Sequence, residues 1–165
     1  MNRINEKALL KPLVNSSKSG RNDFIKNASF SLLLEVLKDT ASASTLADIT
    51  ESCIKYLTSE ERKKSQHLVS SLKVCDKALK IANKRKDADA VWSVIEKNKA
   101  EDVLNQVSQK YEKTQSITSR VQTIQSEIAA GMLLFQDNKK QETEHTPKLT
   151  GKKTKKKKSS KKNKK

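Results

Sequence analysis

The sequence is poor in the residues that build a large compact core. Only 34% of its 165 residues are apolar and 4% are aromatic, whereas 33% are charged. Ordinary globular domains contain roughly 45–50% apolar residues. A chain with so little apolar mass is expected to form helices that share narrow apolar stripes, and to leave part of its length unfolded.

Glycine and proline are also scarce, with three glycines and two prolines in the whole chain. Neither residue occurs between positions 21 and 130, a stretch that is rich in lysine, glutamate, glutamine, leucine and alanine. Antiparallel strands need turn residues about every 8–12 positions, and this stretch offers good helix formers instead. The scarcity of turn residues therefore predicts an all-α protein.

Residues that carry catalytic or metal chemistry are few. The sequence contains no glycine-rich phosphate loop and no GxSxG or HExxH motif. Its two histidines, His67 and His145, stand alone, and Cys53 and Cys75 belong to no CxxC pair. We predict a non-enzymatic protein with no cofactor and no metal site, in which both cysteines are reduced core residues. No apolar run approaches the roughly 18 residues of a membrane span, so no span is expected.

The apolar pattern divides the helical part of the chain into several helices. A first helix is expected over residues 23–38, capped by Asn22 or Asp23, and a short helix over residues 45–57. Thr58 is followed three residues later by Glu61, which is the spacing of a capping box. This spacing predicts that a long helix begins at Thr58.

A narrow apolar seam runs along the last part of this region. Its members recur at alternating spacings of four and three residues, which is typical of a coiled coil: Ile117, Val121, Ile124, Ile128, Gly131 and Phe135. We expect Ile117, Val121, Ile124, Ile128 and Phe135 to bind a partner helix, from another coiled-coil protein or a second copy. The alternative is a hairpin that folds the seam back onto residues 24–37 of the same chain.

Trp92 is the only tryptophan. Aromatic residues dominate interface hot spots, so one hypothesis makes Trp92 an exposed anchor for a partner. The other makes it a packing residue that closes the N-terminal helices onto the long helix.

The predicted fold is therefore an extended helical hairpin or coiled coil with two short N-terminal helices and a disordered lysine-rich C-terminal tail. Residues 1–21 are expected to form a flexible basic arm, because Pro12 would interrupt a helix in this segment. Residues 22–137 form the helical region. Residues 138–165 have almost no apolar side chain and are expected to be a disordered polylysine tail.

The tail carries most of the positive charge. The net charge is +16, and ten lysines without any acidic residue lie within positions 152–165: Lys152, Lys153, Lys155, Lys156, Lys157, Lys158, Lys161, Lys162, Lys164 and Lys165. Such a segment binds polyanions through counterion release. It lacks arginine, whose bidentate fork reads base edges, so we expect binding without sequence specificity.

These features predict a helical accessory subunit of a nuclear complex, with the nucleolus as one compartment that fits. Its tail would supply nuclear targeting and non-specific contact with RNA or DNA. The alternative is a coiled-coil structural subunit of a kinetochore or cytoskeletal assembly, with the tail on microtubules.

Overall fold

A computed structural model of the chain describes residues 6–19, 22–58 and 65–144, and side chains from residue 8 to residue 137 within these ranges. All secondary structure in these ranges is helical, which confirms the predicted all-α class. The helices are α1 (Glu6–Ser19), α2 (Asp23–Val36), α3 (Ala43–Thr58), α4 (Ser65–Asn83), α5 (Asp89–Lys97), α6 (Ala100–Lys110) and α7 (Gln115–Glu144).

The first helix corrects the prediction of a flexible arm over residues 1–21. Leu10 and Val14, one turn apart, are each only 4% exposed, and α1 packs against α2 and α3. Pro12 lies inside α1, where proline usually breaks a helix because it lacks an N–H group and crowds the preceding turn. Burial of the stripe on the opposite side compensates for this cost. Tertiary packing thus overrides the local signal of the proline.

The second helix begins where the sequence predicted it. Asn22 caps α2, and its side-chain oxygen accepts a hydrogen bond from the Ile25 N–H at 2.9 Å. The other end of α2 is held by α4, because the Lys77 ammonium donates to the Leu34 carbonyl at 2.8 Å. This donor satisfies one of the carbonyl groups that a helix C-terminus leaves unpaired.

The capping-box prediction depends on Glu61, which lies outside the described ranges, and the described contacts of Thr58 belong to the preceding helix. Thr58 is the last residue of α3, and its hydroxyl donates to the Lys55 carbonyl at 2.9 Å. The next described helix, α4, begins at Ser65. A threonine hydroxyl can bond to the backbone at either end of a helix, so the spacing to Glu61 alone did not decide between the two.

Helices α3 and α4 form the centre of the fold. Helix α3 packs against α1, α4, α5 and α6, and α4 packs against α2, α3 and α7. After α4 the chain turns at residues 84–88, and the Arg85 guanidinium donates to the Ala41 carbonyl at 2.8 Å, which ties two connectors together. Lys99 adopts a left-handed conformation (φ 47°) between α5 and α6. These breaks convert the predicted extended arrangement into a bundle of shorter helices around one core.

The last helix extends further than expected. Disorder was predicted from residue 138, but α7 continues to Glu144. Residues 145–165, which include the ten tail lysines, lie outside the described ranges.

Candidate functional site

The apolar seam predicted to bind a partner is buried inside this chain. Ile117, Val121 and Ile124 are 0% exposed, and Ile128 and Phe135 are 1% and 5% exposed. Helix α7 packs chiefly against α4, with further contacts to α6 and α5. This corrects the assignment of the seam to a partner helix. The seam is covered within the chain, but by α4 and not by residues 24–37, so the hairpin alternative named the wrong contact surface.

Trp92 and Gly131 meet inside the core. Trp92 on α5 is 4% exposed, which confirms the packing hypothesis and excludes an exposed anchor. The six-membered ring of its indole lies directly over Gly131 on α7, within 2.1–2.6 Å of the position that a Cβ atom would occupy there. The glycine therefore provides the space for the ring.

Asp23, Tyr56 and His67 form a hydrogen-bonded cluster that the sequence did not suggest. Asp23 accepts a hydrogen bond from the Tyr56 hydroxyl through Oδ1 and contacts the His67 Nδ1 through Oδ2. His67 is 13% exposed and Asp23 is 29% exposed at their side chains. The ring of Tyr56 packs edge-on against Phe30, with 5.1 Å between the ring centroids. His67 is therefore a partnered residue, as expected of a lone helical histidine with a structural role.

The cluster joins the ends of three helices. Asp23 is the first residue of α2, where the helix dipole stabilises a carboxylate, Tyr56 lies in the last turn of α3, and His67 in the first turn of α4. Tyr56 and His67 lie 33 and 44 positions from Asp23, so no spacing rule could have connected these residues. Both oxygens of the Asp23 carboxylate are already engaged, which leaves the group poorly placed to act as a general base.

The two cysteines are free and buried. Burial raises the pKa of the Cys53 thiol well above its ordinary value, and the neighbouring Cys75 acts in the same direction. A thiol that is not ionised is a poor nucleophile and a poor metal ligand. Within the described part of the chain, no group of three histidine, cysteine or acidic side chains is arranged to hold a metal ion.

A salt-bridge cluster joins α1 to α3. The Lys18 ammonium lies 2.9 Å from Glu51 and 3.1 Å from Asp48, and Lys55 lies 2.9 Å from Glu51. Hydrogen bonds from Lys18 and then Lys55 lower the pKa of Glu51 to about 2. This cluster accounts for part of the attachment of α1, the helix that the sequence had suggested would be flexible.

Most of the positive charge of the chain lies outside the described ranges. The described ranges contain 19 basic and 17 acidic residues, a net of +2, so +14 of the total +16 belongs to the residues outside them. The ten lysines of positions 152–165 account for most of that difference. The described part of the chain is thus nearly neutral, and a polyanion would find its strongest attraction at the lysines of positions 152–165.

Apart from Leu9 on α1, which is 40% exposed, the exposed large apolar side chains of the described residues group at two places. On α2, Phe24 is 72%, Leu32 is 53% and Ile25 is 38% exposed. On α7, Leu133 and Leu134 are 67% and 60% exposed. Both places are candidates for protein contacts, because exposed apolar clusters mark interaction surfaces more often than scattered single residues do.

None of the described helices combines the length and the apolar character that crossing a membrane requires. The comparisons with known proteins give no relative: no family model, no curated protein and no solved structure matches this chain.

Proposed function

We propose that this chain is a non-enzymatic helical accessory subunit of a nuclear complex, whose lysine-rich end makes non-specific contact with RNA or DNA and supplies nuclear targeting. The observation that carries the proposal is the separation of charge, with a net of +2 in the described ranges against +16 for the whole chain. A neutral helical body can join a protein complex while a separate basic segment holds a polyanion.

The chemistry of the basic segment supports contact without sequence specificity. Ten lysines and no arginine lie within positions 152–165. Each lysine is a point charge that neutralises a phosphate, whereas base edges are read by bidentate groups such as arginine, asparagine and glutamine. Each phosphate neutralised adds about −0.9 to the slope of log K against log salt on duplex DNA, and about −0.7 on single strands.

The body contributes to this function through its surface rather than its seam. The seam residues are occupied within the chain, as described above, so a partner must contact other residues. The exposed apolar groups on α2 and α7 are available for that contact. Membership of a complex would then depend on these residues and not on the basic segment.

The test compares the full chain with two variants of its end. One variant lacks residues 152–165, and the other replaces the ten lysines there with glutamine, which keeps the length and removes the charge. Binding to RNA, to duplex DNA and to microtubules is measured by fluorescence anisotropy or co-sedimentation at matched salt concentrations. We expect the full chain to bind nucleic acid with a steep salt dependence, and both variants to lose this binding with unchanged helical circular dichroism.

Replacing the ten lysines with arginine is the matched positive control, because it preserves charge and should preserve binding. A fluorescent fusion of each variant reports localisation in cells, where only the charged versions should concentrate in the nucleus. Unchanged nucleic-acid binding after removal of the lysines would contradict the proposal. Tighter binding to microtubules than to nucleic acid at the same salt concentration would replace it with the cytoskeletal alternative.

A further inference from the structure

The positive charge of the described residues is concentrated on helix α4 and the turn that follows it. Residues 65–88 contain six basic and two acidic residues, a net of +4. The other described residues contain 13 basic and 15 acidic residues, a net of −2. The charge of the described part is therefore near zero in sum but unevenly distributed, and a positive stretch of this kind attracts polyanions.

Four lysines of this stretch form a row along one side of α4. Lys73, Lys77 and Lys80 recur at spacings of four and three residues, which places them on the same helix face. Lys84 continues the row one turn further, just after the helix ends. We call these four residues the lysine stripe, and at the rise of an α-helix it spans about 16 Å.

The lysine stripe lies on a side of α4 that remains in contact with solvent. Helices α2, α3 and α7 pack against α4, and none of the buried residues of α4 belongs to the stripe. The side chains of Lys80 and Lys84 are 48% and 69% exposed, and Lys73 and Lys77 are half-buried. A ligand that approaches this side of α4 therefore meets ammonium groups.

Ion pairs within the chain engage only part of this charge. Lys80 lies 2.9 Å from Asp76, and Lys84 lies 3.9 Å from Asp39. Exposed pairs of this kind are weak, and each ammonium group has three N–H donors, so one carboxylate does not saturate it.

The other two lysines of the stripe have no ion-pair partner among the described residues. Lys77 donates to the Leu34 carbonyl at 2.8 Å and keeps two further donors. Lys73 lies one turn before Lys77, and like charges four residues apart on a helix repel each other. The row of lysines is therefore not explained by the stability of α4.

The surroundings of the stripe favour a nucleic acid over a protein as the polyanion. The core of a protein interface is normally apolar, but none of the exposed large apolar side chains of the described residues lies on α4. A nucleic acid presents regularly spaced phosphates, about 3.4 Å apart on each strand along the axis of a duplex. Lysines neutralise phosphates as point charges and need no apolar contact to do so.

We propose that the lysine stripe is a second contact site for the phosphate backbone of RNA or DNA, in addition to the lysines of positions 152–165. The inference rests on the proposed function, because both sites would hold the same nucleic acid. The stripe places α4 against the backbone, where its length of about 16 Å faces roughly four or five phosphates of one strand. Two sites on one chain bind more tightly than either site alone.

The first test removes charge from the stripe in the full chain. Lys73→Gln, Lys80→Gln and Lys84→Gln are combined, and Lys77 is kept because it bonds to α2. Binding to a labelled DNA duplex is measured by fluorescence anisotropy over a range of salt concentrations. The slope of log K against log salt should become less steep by about 2–3, because each phosphate contact contributes about 0.9, and the dissociation constant should rise at least about tenfold at about 0.1 M salt.

The matched control changes the net charge by the same amount elsewhere. Lys97→Gln, Lys110→Gln and Lys113→Gln together replace exposed lysines outside the stripe and should leave the slope unchanged. An equal loss of affinity in both triple variants would overturn the inference, because the overall charge and not a localised contact would then explain the loss. Circular dichroism shows whether both variants keep their helical content.

The second test locates the contact in the wild-type chain, so it decides the question if the stripe variant does not fold. The protein is acetylated with and without the DNA duplex, and the modified lysines are identified by mass spectrometry. DNA should protect Lys80 and Lys84, the most exposed lysines of the stripe, and should leave the exposed Lys97 and Lys110 unprotected. Equal protection of all four lysines would contradict a localised contact.

The outcomes separate this inference from the proposed function. Loss of binding on removal of the lysines of positions 152–165, together with an unchanged slope in the stripe variant, would overturn the inference and leave the proposed function in place. A wild-type chain that binds no nucleic acid would overturn both. Stronger protection of the stripe by poly-L-glutamate than by DNA at the same salt concentration would overturn the assignment to nucleic acid and indicate an acidic protein surface as the partner.

Discussion

Substitution of Gly131 by alanine should destabilise the protein, although the same substitution inside a helix usually stabilises. Gly131 has no positive φ, so its backbone conformation does not require glycine. Helix propensity alone would give alanine an advantage of about 1 kcal/mol. The lack of space around Gly131 outweighs this advantage, so the substitution lowers the stability of the protein.

The magnitude follows from the distance to Trp92. A Cβ atom at Gly131 would lie 2.1 Å from Cη2, 2.2 Å from Cζ2 and 2.6 Å from Cζ3 of the indole. Non-bonded carbon atoms are most stable about 3.5–4.0 Å apart, so the ring would have to move by more than about 1 Å. The indole is rigid and Trp92 is only 4% exposed, so the movement must separate α5 from α7 or expel the ring.

Overpacking of a core by one methyl group costs about 1–3 kcal/mol. Three atoms of one rigid ring are affected here, which places Gly131→Ala at the upper end of that range. After subtraction of the gain in helix propensity, we expect a net loss of about 2 kcal/mol, or a decrease in Tm of about 4–8 °C for a chain of this length.

Urea denaturation followed by circular dichroism measures this loss, and fluorescence of Trp92, the only tryptophan, shows whether the ring becomes exposed to water. Ala130→Gly on the exposed side of α7 is the control for propensity and should cost about 1 kcal/mol or less. In a Trp92→Phe background, Gly131→Ala should cost at least about 1 kcal/mol less, because the smaller ring leaves room for the methyl group. A neutral or stabilising Gly131→Ala in the wild-type background would refute the reasoning.

Two further predictions concern the polar contacts between helices. The pKa of Glu51 is lowered from its ordinary value of 4.5 to about 2, so its contribution to stability is complete above pH 4.5 and is lost as the pH falls towards 2. Glu51→Gln should therefore lower the stability by about 1 kcal/mol at pH 7 through loss of its bond to Lys18. The difference in Tm between the wild type and this variant should shrink below pH 4.5. A difference in Tm that does not depend on pH would contradict this prediction. His67→Ala should cost about 1–2 kcal/mol by urea denaturation, because the Asp23 carboxylate loses one of its partners. The losses from His67→Ala and Tyr56→Phe should be non-additive in the double variant, since both groups bind Asp23, and strict additivity would show that the three residues do not act as one cluster.

The sequence alone determined the class of the fold and much of its helical content. Scarcity of glycine and proline excluded a β-protein, because strands require frequent turns. A cap at Asn22 or Asp23 was predicted and Asn22 provides it, since capping depends on a local contact between a side chain and a backbone N–H three residues later. The burial of Ile117, Val121 and Ile124 on one face of α7 follows from the helical period, which is also local.

Only the tertiary structure decided what those faces contact. The period of the seam was correct, but a period does not state whether the opposite surface belongs to the same chain, and α4 covers the seam. The flexible arm was wrong for the same reason, because Leu10 and Val14 form a helix stripe only once α2 and α3 are present to bury it. The contact of Trp92 with Gly131 joins residues 39 positions apart, and the Asp23 cluster joins residues up to 44 positions apart. Such contacts depend on the mutual packing of complete helices, and no local pattern of residues encodes that packing.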